Sequence, residues 1–522
     1  MSKRRLAGAA VALVALAGTA SGCTSASSTS AAQTSSGQSV LTIGFGSSAN
    51  TLNPATEGAG GAPPEQISSL SYAPIIHLAP DGTLQPGLAT SWHYVGTGNE
   101  TFEFTLRRDA RFSDGNYVTA DGVAKWLTYF VHAGGDSSQN LGLKSATTAG
   151  KWTVILHLGA PNPIVPLLLT EFLNIGFVGS PEAAAHPAQL NTATDGAGPY
   201  VEVPAQSVAN SQYTFVPNKY YYDKSAIHWS KVVVKIITSP STALEAIQSG
   251  QLDVSYGDIT TLSAAKTAGL GVVSAPYGWA GMLIMDRGPR LPDGSGPNPL
   301  ANVKVRQALN YALDRKTIVK AVLGGDGTPS SEAGTVDGFD PAYQDYYPYD
   351  PARAKALLAA AGYAHGLTLK VDDQTYIGSL GDPLLEAMAK YFSAVGVKLT
   401  ISQATTGPDF TKGIFGGAFQ ATGFVQSPLL PMYQFYNYYL GPGVILNQHG
   451  WDDPALDKLW KTGAAAQSPD SYWKAMSQRV VTQAVEVPVL LDRNFWYARK
   501  GIGGVAFSAV NGVPLPVEWY AK

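Results

Sequence analysis

The sequence predicts an α/β protein of more than one domain. Period-two strands come early, a strand–helix–strand unit follows, and capped helices then alternate with further strands. Val40 to Phe45 reads as a strand ended by the Gly46-Ser47-Ser48 turn. Thr101 to Leu106 alternates Phe102, Phe104 and Leu106 with polar neighbours, and Trp152 to Leu158 does the same. Between them, Thr119 is expected to cap a helix carrying Val123, Trp126, Leu127 and Phe130. Lys231 to Ile237 is a β-branched run, expected to be buried on both faces. Thr242 and Glu245 are expected as the capping box of a helix that runs to Ser249 and ends at Gly250. Leu252-Asp253-Val254 then opens a strand, so a parallel or mixed sheet follows. One helix is expected over Val303 to Leu323, and another from the Asp350 cap and Pro351 through Ala361 to Gly362. Leu367 to Val371 and Val397 to Ile401 read as strands around a helix near Leu384 to Ala394. Gly407 to Gly450, rich in Gly, Pro and Tyr, is expected to be irregular.

The first forty residues address the compartment. Lys3, Arg4 and Arg5 precede the apolar run Leu6 to Ala17, which is too short to span a bilayer and reads as a secretory signal over residues 1–22. Ala20-Ser21-Gly22-Cys23 resembles a bacterial lipobox, which implies acylation of Cys23; an ordinary cleaved signal is the alternative. Cys23 is the sole cysteine, so the mature chain has no disulfide, and acylation accounts for an odd thiol in an exported protein. Residues 24–39 are almost all Ser, Thr, Ala, Gly and Gln, the composition of a flexible tether; with Cys23 they form the segment 23–39. The expected location is the outer face of the cytoplasmic membrane or the periplasmic space.

Residues 1–22 hold three basic residues and no acidic one, so 32 Lys and Arg face 38 Asp and Glu afterwards, a net of −6. That balance argues against nucleic acid and anionic lipid as partners, since either needs a basic patch, and leaves the membrane to the lipid anchor alone. The 26 Tyr and 10 Trp are more than a core demands, and aromatic walls suit a concave ligand site.

Enzymatic signals are weak. The eight histidines have no ligand spacing, and no metal site or cofactor is expected. There is no Walker loop, dinucleotide fingerprint or nucleophile elbow. Ser471-Tyr472-Trp473-Lys474 and Lys461-Thr462-Gly463 match serine β-lactamase elements in the wrong order. Asp372-Asp373 and Asp452-Asp453 are adjacent acids, expected in solvated turns or at helix caps, with Asp453 capping a helix opened by Pro454. No catalytic residue is assigned.

Six ordered blocks carry a resemblance. They are Leu84-Gln85-Pro86-Gly87-Leu88-Ala89-Thr90-Ser91-Trp92 with Phe102 to Arg107; Arg111-Phe112-Ser113-Asp114-Gly115 with Thr119-Ala120-Asp121; Gly196 to Tyr200; Ala246 to Val254; Val305 to Arg315; and Tyr349-Asp350-Pro351 to Tyr363. Together they resemble bacterial extracellular solute-binding proteins of family 5, the receptors of peptide, dipeptide and nickel ABC importers. The resemblance implies a two-lobed periplasmic-binding-protein-like (type II) fold with an extra inserted subdomain and mixed sheets flanked by helices. Lobe 1 would comprise 40–55, 197–285 and 495–522, its inserted subdomain 56–196, and lobe 2 residues 286–494. Chain crossings near 285 and 495 would form the hinge, and Arg306 with Asp314 a surface or interdomain pair. The implied partners are a small-molecule or peptide solute and the ABC permease subunits, and the implied state is a monomer without enzymatic activity.

Oligopeptide receptors of the family hold the peptide ammonium with an Asp in the second lobe. In Gly423-Phe424-Val425-Gln426-Ser427-Pro428, Gln426 stands at that place, which weakens a peptide reading and leaves a sugar or other polar solute open. Candidate ligand contacts are Tyr277, Trp279, Phe424, Gln426, Tyr436, Trp451 and Trp496; Asp286 is a hinge or turn residue. A surface sensor or chaperone without an importer is the alternative of another class, and a hydrolase is the reading least supported.

Overall fold

The computed structural model describes residues 39–57, 63–374, 381–426, 430–444, 446–447, 449, 451–510 and 512–522. The expected signal, Cys23 and most of the tether lie outside them. A mixed sheet, eleven strands among the described residues, runs through both lobes. Its order is Val397–Ala404, Leu367–Gln374, Ala421–Gln426, Gly271–Ile284, Val487–Ala498, Val254–Gly257, Val40–Phe45, Lys231–Ile236, Gln212–Pro217 and Tyr200–Glu202, with Thr328–Pro329 on the flank of Val487–Ala498.

In the first lobe Lys231–Ile236 and Val254–Gly257 lie parallel to Val40–Phe45 on either side of it. The helix between them is Pro240–Gln248. Ser239 caps it, accepting from the Thr242 N–H at 3.3 Å, so the helix begins ahead of the expected Thr242 cap; Pro240 fits because a first-turn residue needs no N–H. Lys231–Ile236 is buried on one face only. Val232 and Val234 meet the core of Leu41, Ile43, Phe45 and Trp496, while Lys231, Val233 and Lys235 alternate with them on the other, only partly buried face.

Between Phe45 and Tyr200 the chain leaves this sheet and builds a second, antiparallel one. Its order is Ala89–Tyr94, Thr101–Leu106, Thr153–Leu158, Leu143–Ala149, and the helix Ala120–His132 packs on its last two strands. Thr119 caps that helix as expected. Trp126 is fully buried, and its indole N–H donates to Phe177 O at 2.7 Å.

In the second lobe Leu367–Gln374 runs parallel to Val397–Ala404 and Ala421–Gln426. Two expectations change here. Val303 to Leu323 is two helices, Val303–Tyr311 and Arg315–Leu323, because Asp314 turns to cap the second, accepting from the Thr317 N–H at 3.1 Å. Arg306 therefore does not pair with Asp314; its buried guanidinium donates to Ala484 O, Leu300 O and Gln483 O at 2.8–3.0 Å. The stretch from Gly407 is also ordered: a Thr406-capped helix Gly407–Phe415, the strand Ala421–Gln426, a helical turn Met432–Phe435 and a π turn Tyr436–Leu440. Its glycines dilute the periodicity that marks such elements.

Three buried guanidiniums converge where Val487–Ala498 begins. Arg306 holds the carbonyls of 483 and 484, and Arg315 donates to Pro488 O, Ser330 O and Asn310 Oδ1 at 2.7–3.0 Å. Arg287 meets Glu486 at 3.2 Å, both side chains having no exposure. Glu486 Oε2 also accepts the Ile284 N–H at 2.7 Å, joining the end of Gly271–Ile284 to the start of Val487–Ala498. Burial pushes the Glu486 carboxyl up, and the facing Arg287 guanidinium pulls it back down. Burial also lowers Arg306 and Arg315 to about 10, so both stay charged at neutral pH.

Glu332 is 1% exposed and accepts from the Asp340 N–H and the Ser477 hydroxyl; burial raises its carboxyl to about 7. The folded state keeps a proton that the unfolded state releases near pH 4.5, so stability is full below that pH and is lost as pH rises through 7. Glu332→Gln is expected to flatten the pH dependence of urea-unfolding stability between pH 4.5 and 7 by up to about 3 kcal/mol. An unchanged slope would contradict this account.

Candidate functional site

Two long antiparallel strands, Gly271–Ile284 and Val487–Ala498, belong to both lobes. At one end Val487–Ala498 bonds the first-lobe strand Val254–Gly257; at the other Gly271–Ile284 bonds the second-lobe strand Ala421–Gln426. Their mutual register shifts at Pro276/Gly278 and Ala280/Gly281. Pro276 has no N–H for the ladder, and a Cβ on Gly281 would sit 2.4 Å from Val487 O, so both positions suit irregular pairing. Tyr277 and Trp279 leave the chain beside the first shift.

Trp279 and Gln426 are directly opposed across the ladder, and the indole Nε1–H donates to Gln426 Oε1 at 2.7 Å. Both are buried, at 0% and 3% exposure. The Phe424 ring tilts against Trp279 at 5.4 Å and meets the Tyr439 ring edge-on at 5.6 Å. Phe424 and Tyr277 are half-buried, and Tyr277 lies against Gly512. The structure thus gathers Trp279, Phe424 and Gln426 where the lobes join, with Tyr277 two residues before Trp279 on the same strand.

The other three aromatic candidates sit elsewhere. Tyr436 stacks on Trp460 at 4.8 Å, and its hydroxyl donates to Asp457. Trp451 lies under the Arg287 guanidinium at 4.3 Å. Trp496 is packed in the first-lobe core, with Phe45 at 5.6 Å and Trp519 at 5.8 Å. Asp286 makes a turn, its Oδ1 accepting from the Gly288 N–H at 3.1 Å; burial raises its carboxyl above the ordinary range. Asp372 and Asp373 are buried on a strand, not in a solvated turn. Asp372 takes the Ser402 hydroxyl at 2.9 Å and the Ala404 N–H at 3.1 Å. Asp453 caps its helix as expected and holds Arg479 Nε at 2.7 and 2.9 Å.

A family model, Bacterial extracellular solute-binding proteins, family 5 Middle, matches residues 83–444. The chain belongs to this family. The nickel-binding periplasmic protein of Escherichia coli (strain K12) is 26% identical over 506 residues, covering 86% of this chain and 89% of that protein. The probable di/tripeptide-binding protein 5 of Pseudomonas aeruginosa (strain UCBPP-PA14) is 25% identical over 469 residues, covering 81% and 84%. The solved structure of HbpA2 from Haemophilus parasuis superposes with a TM-score of 0.78 at 21% identity, covering 92% of this chain and 100% of that one. The shared fold is therefore the two-lobed one of this family, whose members are solute-binding receptors.

Some groups carry no sequence signal. Leu173 and Asn174 both hold left-handed φ, 57 and 64, which costs a non-glycine residue energy. The Leu173 N–H reaches Glu65 Oε1 at 3.0 Å, and the Asn174 amide is buried without a hydrogen-bond partner among the described residues. Leu173 shares a hydrophobic cluster with Trp279 and Tyr439. Nor do sequence patterns reveal the contacts between the segment 99–161 and the segment 433–466. There Asn99 Nδ2 donates to Ala464 O and Ala466 O at 2.9 and 2.8 Å, satisfying carbonyls at the end of the helix Pro454–Ala465. Tyr433 donates to Pro161 O at 2.9 Å, and the Tyr438 hydroxyl lies 2.8 Å from Asn140 Oδ1.

These bonds run between the segment 99–161 and the segment 433–466. Asn99→Ala is expected to weaken every bound solute by one common factor, on the order of tenfold, without reordering solutes. Isothermal titration checks this; a change confined to one solute would mean that Asn99 touches ligand.

Proposed function

We propose that this chain is the receptor of an ABC importer, capturing one small polar solute by lobe closure and delivering it to the permease. The observation that carries the reading is the pair of strands shared by both lobes, with Trp279, Phe424 and Gln426 gathered at their junction. Lobe 1 would be 40–55, 197 to about 277 and about 493 to 522 with 56–196 inserted, and lobe 2 the residues between, which moves the expected crossings from near 285 and 495 into the shared strands. The irregular pairing at Pro276–Gly278, opposite Asp492 and Arg493, is the natural pivot, since a broken ladder bends more easily than a regular one. A solute touching both lobes favours closure by its differential affinity, and no bond is made or broken. Cys23 would anchor the chain to the outer face of the cytoplasmic membrane.

Within this reading the cargo does not place a free ammonium on Gln426. The amide is neutral and already accepts from Trp279, so it offers no charge-assisted bond. Half-buried Phe424 and Tyr277 offer apolar faces to a polar neutral solute. A sugar or an N-blocked peptide suits that set as well as a free peptide.

A thermal-shift screen of peptides, their N-acetylated forms, oligosaccharides and metal chelates tests the reading. One class is expected to raise Tm, by about 2.7 kcal/mol of stabilisation at a hundredfold excess over Kd. Phe424→Ala is expected to abolish that shift with little change in the unliganded Tm. If only peptides with free N-termini bind, the argument from Gln426 is wrong.

A further inference from the structure

The strands of the first lobe bring a set of cations to one sheet edge. Val40–Phe45 and Lys231–Ile236 start there, Val254–Gly257 starts beside them, and Val487–Ala498 ends there. Ser39 O accepts the Ser230 N–H at 3.2 Å, so the segment that leads back to Cys23 joins the body at this edge. Two strands away, about 10 Å at ordinary strand spacing, a surface cavity of about 650 Å³ opens between Asp253, Gly269 and Arg499 to Gly501. Asp253 is the one acid lining it, and it is already engaged. Its Oδ2 accepts the Thr42 N–H at 2.9 Å, and its Oδ1 lies 3.3 Å from Arg499 Nη1.

The cations around this cavity are left over. Lys500 reaches across Gly269; Lys266 stands in the last turn of the helix Ile259–Thr267 that leads into it; Lys522 is tied to its rim through a backbone bond to Gly501 O at 2.9 Å. All three side chains are exposed and make no hydrogen bond or ion pair among the described residues. On the neighbouring helix Pro240–Gln248 the exposed Glu245 opposes them. Residues 24–38 carry no charge to neutralise the set. In a mature chain of net −6, a basic cavity beside the root of the N-terminal segment is not background.

We propose that this cavity receives the phosphodiester of an anionic phospholipid headgroup, and so fixes which face of the receptor looks at the membrane. The proposal rests on the anchor at Cys23: only the fifteen residues 24–38 separate it from Ser39, at most about 50 Å of chain, so an acylated Cys23 would keep this edge near the headgroups. Lys266, Lys500 and Arg499 supply the charge, and Lys522 closes the rim. Each basic side chain near an anionic surface strengthens association about fivefold.

The test uses the mature, acylated protein on vesicles of phosphatidylcholine alone or with one-third phosphatidylglycerol, read by hydrogen exchange and by flotation. Slower exchange at 266–270 and 499–502 is expected on phosphatidylglycerol vesicles only. It is expected to vanish in high salt and in the double variant Lys266→Glu, Lys500→Glu, which keeps the Arg499–Asp253 pair and the wild-type Tm. Flotation with both vesicles but no added protection keeps the anchor and overturns the cavity. Flotation with phosphatidylglycerol alone, with protection at both segments, keeps the cavity and removes the anchor. Flotation with neither overturns both. Equal protection by inorganic phosphate in solution overturns the headgroup assignment.

Discussion

The buried ion pair of Arg287 and Glu486 is the constraint on which the two-lobed arrangement depends. It ties the end of one shared strand to the start of the other at a point with no access to water. Arg306 and Arg315 reinforce it by occupying the carbonyls at 483, 484 and 488. Guanidinium groups suit this work because each offers several donors in a fixed plane, and backbone carbonyls at strand roots otherwise go unsatisfied. Burying these charges is costly, and truncating one partner strands the other. The second lobe therefore grips the crossing strands rigidly at one end, while irregular pairing at Pro276–Gly278 leaves them pliant further along.

That asymmetry explains why the aromatic and amide groups lie where they do. Trp279 and Gln426 face each other because the register fixes them as opposed residues, and their hydrogen bond consumes the polar atoms both would otherwise bury unpaired. Phe424 and Tyr277 keep part of their rings open beside this closed pair. Across the molecule, Asn99 completes the end of the helix Pro454–Ala465 by donating to the carbonyls of Ala464 and Ala466.

Local chemistry was legible from the sequence where one residue does one job. Thr119, Asp350 and Asp453 cap helices as their type and spacing predict, and the parallel pairing around Val40–Phe45 follows from the strand–helix–strand pattern. The family resemblance supplied the two lobes. What stayed hidden depends on partners distant in sequence. Arg306 looks like a helix-surface residue until residues 483 and 484 arrive, and Asp372 like a turn until Ser402 and Ala404 flank it. The left-handed Leu173 and Asn174 are stranger still, because nothing in their identities announces that backbone. Of the aromatic candidates, Trp496 stood beside the expected second crossing, and its core packing against Phe45 and Trp519 needed the fold to be seen.

The central claim is that a solute closes the lobes about the shared strands. Its most direct measurement is the distance between spin labels placed on exposed positions of the 95–98 turn and of the helix Asp470–Thr482, with and without saturating solute. The account predicts a broad, longer distribution that collapses to one short distance on binding, with Asn99 seated on the carbonyls of Ala464 and Ala466. An identical distribution in both states, with solute bound, would contradict it.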